Sequence, residues 1–198
     1  MAQDIEHPIL RLFGLVREAL SRATYALLNG DSVLAQSVID GDQEIDEATA
    51  QLELDVWSRI EGGDHGSRDL RALVGILLIL PELERSADLA EHIAHRAITG
   101  VGAEMTPVAR GIVQRMSEVA ADMWQLVAAA YVNHDALRLE LAEEDEELDI
   151  LHDRLTDEIA KADMPTAVTA QVTLVSRFYE RIGDHAVNLS RRIAALEQ

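Results

Sequence analysis

The sequence predicts an all-α protein made of two tandem three-helix bundles related by an internal repeat. Three observations lead there. Hydrophobic residues make up 48% of the 198-residue chain but aromatics only 4%, so the core must come from Leu, Ile, Val and Ala, which suits helix-on-helix packing. With only four prolines in the chain, long helices can run uninterrupted. Apolar residues also recur at alternating spacings of four and three, and that pattern occurs twice at a constant offset.

Six long helices can be placed from caps and periodicity. The first covers about Pro8 to Leu28 and stops at Asn29-Gly30. The second opens at Asp31-Ser32 and runs to Glu61, where Gly62-Gly63-Asp64-His65-Gly66 breaks it. Ser67 is the expected N-cap of the third, which continues to Ile98 before Gly100-Val101-Gly102. Pro81 lies inside this helix and is expected to kink it. Thr106-Pro107 opens the fourth helix, which reaches Val132; proline is well tolerated in a first helical turn. Asn133-His134-Asp135 begins the fifth, ending near Lys161, and Asp163-Met164-Pro165 begins the sixth.

The sixth helix carries the clearest stripe: Val168, Val172, Val175, Tyr179, Ile182, Ala186, Leu189 and Ile193. Shifted back by 96 residues it becomes Ala72, Ile76, Ile79, Leu83, Ser86, Ala90, Ile93 and Ala97, apolar throughout except for small Ser86. The second and fifth helices match at an offset of 103, the longer Gly-rich turn after Glu61 absorbing the difference. The chain therefore divides into residues 1–102 and 103–198.

The formal net charge of -19 disfavours nucleic acid and anionic lipid as partners. It suits basic protein faces or multivalent cations. The absence of cysteine excludes disulfides, thiolate metal sites and cysteine nucleophiles. The N-terminus lacks a secretory pattern, and the longest uncharged apolar run, Ala72 to Leu80, is too short to span a bilayer. A cytoplasmic location without membrane insertion is expected.

Each repeat carries four acids at helical spacing. Asp42, Asp46, Glu84 and Asp88 lie in the first, and Asp145, Asp149, Glu180 and Asp184 in the second. Residues four apart share a helix face. Folding each helix pair as a hairpin about its turn brings the two pairs of acids to similar heights. Converging carboxylates repel unless cations or protons intervene. With oxygen ligands the candidates are Mg²⁺, Mn²⁺, Ca²⁺ or iron, with zinc also admitted. His92, one turn after Asp88, and its counterpart Asn188 can add donors. The alternative is a solvated acidic face, since Arg85 and Arg181 each precede an aspartate by three residues. A di-iron enzyme would use Glu-x-x-His pairs, and none of the seven histidines has a glutamate three residues before it. No catalytic residue or organic cofactor is expected, and no Gly-rich phosphate cradle is present. Trp57 and Trp124 are expected to anchor packing, and His7, His65 and His134 to lie on the surface. His95, His152 and His185 are further candidates near the clusters, and Gly183 and Ala87 are small enough to admit close approach.

Glu-Arg-Ile-Gly-Asp-His-Ala-Val-Asn-Leu at 180–189 resembles the signature of the PhoU family, and Glu84 to Ile93 resembles a diverged copy of it. Asp69-Leu70-Arg71 and the Asp42 and Asp145 segments also fit, and Arg177 to Ile193 is similar to actinobacterial members. The second motif is the closer match, because the first reads Ser86-Ala87 where the second has Ile182-Gly183. The resemblance implies two PhoU-like three-helix repeats with metal ligands at Glu84, Asp88, Glu180 and Asp184. Asp42, Asp46, Asp145 and Asp149 would be their partners. It implies a homodimeric, non-enzymatic negative regulator of phosphate uptake and the phosphate-starvation response. Such a regulator links a phosphate ABC transporter to a sensor histidine kinase and reaches the membrane only through these partners. The alternatives are a metal-binding bundle of other function, such as a di-iron-type enzyme, and a metal-free interaction module.

Overall fold

The computed structural model describes residues 3–63, 65–133 and 138–196. Seven helices follow in order: α1 Gln3–Asn29, α2 Ser32–Glu61, α3 Ser67–Ile98, α4 Val101–Glu104, α5 Pro107–Asn133, α6 Arg138–Lys161 and α7 Thr166–Leu196. Six are the long helices expected. The seventh, α4, is a single turn inside the predicted linker. No strand occurs among the described residues.

Local chemistry sets the helix ends. Gly30 and Gly100 take φ of 67° and 77° after α1 and α3, the left-handed conformation that favours glycine. Asp31 caps α2 by accepting from the Leu34 amide at 2.9 Å. Thr106 does the same for α5, accepting from Ala109 N at 3.1 Å. At α3 the sequence reading needs correction: Gly66 is the N-cap, and Ser67 is already helical. The first helix also begins earlier than expected, at Gln3, with Pro8 inside it. Helix α3 runs on through Pro81 as a single helix. The expected fifth-helix start at His134-Asp135, and His134 itself, lie outside the described residues.

Helices α1, α2 and α3 pack on one another, as do α5, α6 and α7, and the two groups meet through α1 against α5 and α3 against α7. Every residue of the α7 stripe is buried, and so are its offset counterparts in α3 from Ile76 to Ala97. Ala72 is the exception and is exposed. Trp124 anchors the core at 1% exposure, its ring 5.9 Å from Phe13. Trp57, expected to do the same, is 47% exposed. Its neighbour Val56 takes the inward position, and one residue turns a helix by about 100°.

Two devices fix one bundle to the other. The α4 turn sits against the end of α1 so closely that a Cβ on Gly102 would come within 1.7 Å of Leu27 O. Arg110 donates to the carbonyls of Gly102 and Leu28, tying the turn to α1. On the α3–α7 seam, Arg192 Nη2 bonds Glu82 Oε1 at 2.8 Å. His185 Nδ1 lies 2.8 Å from Glu82 Oε2, off the line of a hydrogen bond. Fourteen residues along each helix from the Glu82–Arg192 pair, Arg96 lies over the Phe178 ring at 5.0 Å, and it donates to Gln171 at 3.1 Å. Arg96 and Arg192 are repeat equivalents, and so are Glu82 and Phe178. The duplicated seam thus closes with an ion pair at one end and a cation–π contact at the other.

Candidate metal centre

In the first repeat, α2 presents Asp42 and Asp46 one turn apart, and α3 presents Asp88 from the facing helix. One carboxylate oxygen from each of the three lies within 4.8 Å of the others. Asp42 is half-buried, and its Oδ1 is fully enclosed without a hydrogen-bond partner. Burial, then repulsion from Asp46 and Asp88, pushes its carboxyl up to about 7 from an ordinary 3.8. Asp88 is raised by burial and by Asp46, against the opposing pull of His92. Glu84 is raised by burial, Asp46 and Asp88, so it belongs to the same electrostatic cluster. No ion pair to any of these four acids occurs among the described residues.

The second repeat gathers its acids more loosely. Asp145 is raised by burial, then by Asp149 and Asp184, with Arg191 opposing. Asp149 is raised by burial, then by Glu180 and Asp184, with His152 opposing. Glu180 is bonded by Arg177 and lies 3.9 Å from His152 Nδ1. That nitrogen also sits 2.9 Å from the Ser176 hydroxyl. Close approach of α6 and α7 depends on Gly183: a Cβ there would be 2.6 Å from Leu148 Cδ2 and 3.5 Å from Asp145 Oδ1. Ala87, the equivalent on α3, is buried at 1%.

All eight acids named from the sequence thus fall into two groups, one per repeat. Among the described residues only Asp42, Asp46 and Asp88 draw together as a triad. The site residues that the sequence reading missed are Arg177, which bonds Glu180, and Glu91, whose charge acts on Asp42 and Asp88. Helical spacing was the available signal, since Arg177 precedes Glu180 by three residues and Glu91 follows Asp88 by three. Of the further histidines, His152 stands at the second cluster. His95 pairs with Glu91 at 3.4 Å, and His185 is directed to Glu82 across the seam.

Fold and site together define a duplicated all-α protein in which each helical hairpin carries a carboxylate cluster. The PhoU domain family matches residues 9–97 and 113–193, both halves of the duplication. The phosphate-specific transport system accessory protein PhoU homolog 2 of Mycobacterium tuberculosis is 33% identical over 194 residues, covering 96% of this chain and 91% of its own length. The PhoU homolog of Rhizobium meliloti is 30% identical, covering 93% of this chain and 80% of that one. The crystal structure of PhoU from Pseudomonas aeruginosa superposes with a TM-score of 0.89 at 26% identity, over 99% of this chain and 96% of the other. The phosphate transport system regulatory protein PhoU from Streptococcus pneumoniae gives a TM-score of 0.85 at 25% identity, over 99% and 94%. The chain belongs to the PhoU family of phosphate transport system accessory proteins.

Proposed function

We propose that this protein is a negative regulator of phosphate uptake and of the phosphate-starvation response. It acts by recruitment, as an adaptor between a phosphate ABC transporter and a sensor histidine kinase, and performs no chemistry of its own. The observation that carries this reading is the match of both repeats and of the whole fold to proteins named as accessory and regulatory components of phosphate transport. No helix among the described residues is long and apolar enough to cross a membrane. A working site in the cytoplasm, at protein partners in the membrane, agrees with the net charge of -19, which anionic headgroups repel. The acidic helical faces suit basic cytoplasmic surfaces, and homodimerisation would present them twice.

The reading includes bound metal. The donors available are carboxylates, with His92 beside Asp88 and His152 beside Glu180, which suits Mg²⁺, Mn²⁺, Ca²⁺, iron or zinc. The enclosed, unpartnered Asp42 Oδ1 beside Asp46 and Asp88 fits a cation that the protein alone does not supply. When bound, such a cation would neutralise the cluster and cross-link the helices of each hairpin. Asp42, Asp46, Glu84 and Asp88 would hold it in residues 1–102, and Asp145, Asp149, Glu180 and Asp184 in residues 103–198.

Deleting the gene in its host, then measuring starvation-gene expression in abundant phosphate, tests the regulator reading. Derepression is expected, together with copurification of transporter or kinase at low salt. Unchanged expression with neither partner recovered would overturn it. Elemental analysis of protein purified without chelator tests the metal, and Asp88→Asn is expected to lower the metal content.

A further inference from the structure

The two acid clusters are repeat equivalents, yet their surroundings are not. Glu180 on α7 accepts a hydrogen bond from the Arg177 guanidinium one turn earlier. The position equivalent to Arg177 in the first repeat, at the same 96-residue offset that relates Glu84 to Glu180, is Pro81. Proline carries no charge and no donor, so Glu84 has no counterpart of this bond. A further arginine stands near the second cluster, since Arg191 acts on Asp145, and the His152 ring lies 3.9 Å from Glu180. Arg191 corresponds to His95, which is turned to Glu91 at 3.4 Å. The first cluster has Arg85 acting on Glu84 and His92 acting on Asp88, but no ion pair at any of its four acids among the described residues. It also holds the enclosed, unpartnered Asp42 Oδ1.

We propose that Arg177 is an internal counter-ion that competes with cations for the second cluster, so that divalent cations fill the first repeat before the second. The inference rests on the clusters being cation sites, and it assigns Arg177 the role of setting their difference in affinity. Glu180 is the carboxylate at stake. Its side chain is 23% exposed, so Arg177 covers a group that is already partly desolvated, while Arg177 itself is 54% exposed and free to swing away. A cation entering the second site displaces a guanidinium that has somewhere else to go. At the first site, among the described residues, no ion pair has to be displaced. The motif that matches the family signature more closely is therefore the weaker binder, because its ligand is already engaged.

The test is titration of the full-length chain with Mn²⁺, following free Mn²⁺ by electron paramagnetic resonance. Asp46→Asn isolates the second site, and Asp149→Asn isolates the first. In the Asp46→Asn background, Arg177→Gln is expected to tighten Mn²⁺ binding by about three- to five-fold, the scale of releasing an exposed ion pair. In the Asp149→Asn background the same change is expected to have no effect. Equal affinities at the two isolated sites, or an Arg177→Gln variant unchanged in both backgrounds, would overturn the role of Arg177 and leave the cation sites standing. No Mn²⁺ binding by any form would overturn both.

Discussion

Replacing Asp42 by asparagine should change how stability depends on pH, in a direction unusual for a carboxylate. Most native carboxylates are held below their ordinary range by partners, so acid destabilises the fold. Asp42 is held above it, at about 7 against an ordinary 3.8, by burial and by Asp46 and Asp88. In the metal-free protein the folded state therefore takes up this proton more readily than the unfolded chain does. The resulting stability is fully present below about pH 4, and it is lost as pH rises through about 7. A fully differential proton would contribute about 2.5 kcal/mol between pH 5 and 7. Asp42 is only half-buried and shares its repulsion with neighbours, which reduces the expected effect to about 1 kcal/mol. For a chain of this size that corresponds to a melting shift of about 2–4 °C. The assay is thermal unfolding of wild type and Asp42→Asn, with chelator, at pH 5, 6 and 7. Because other acids titrate in both proteins, the difference between the two curves is the quantity to read. Asp42→Asn should melt above wild type at pH 7, and the gap should narrow steadily as the pH falls to 5. Parallel pH profiles would refute the account of a repelled, desolvated Asp42.

Two further predictions concern the contacts that join the bundles. Gly102→Ala should cost about 3 kcal/mol in chemical denaturation, because its Cβ would come within 1.7 Å of the Leu27 carbonyl oxygen, a backbone atom that cannot move aside. Gly14→Ala, with nothing within 4 Å of the new atom, should instead stabilise by about 0.5–1 kcal/mol. On the seam, Glu82→Ala should cost about 2 kcal/mol by leaving Arg192 and His185 without their shared carboxylate. The pair Glu82→Leu with Arg192→Met should recover most of that loss, and failure to recover it would show that the charge is not what Glu82 contributes there.

The six long helices and the repeat were legible in the sequence because both are local. Caps such as Asp31 and Thr106 act within three residues, and a stripe such as Val168 to Ile193 is fixed by helical pitch alone. The eight acids were legible for the same reason, since spacing puts Asp42 and Asp46, or Glu180 and Asp184, on one face. Long-range placement was not legible. Trp57 and Val56 are both apolar neighbours, and only the rotation of α2 against its partners decides which of them faces the core. Ala72 follows the stripe in every local respect, yet it is exposed. The same holds within the site. The closer family match of Glu180-Arg181-Ile182-Gly183-Asp184 favours the second cluster, while the fold gathers Asp42, Asp46 and Asp88 within 4.8 Å and engages Glu180 with Arg177. Sequence determined which carboxylates share a helix face. How closely facing helices bring them together, and which cations stand beside them, depends on helix rotation and on side-chain positions from other segments, and only the tertiary structure decided that.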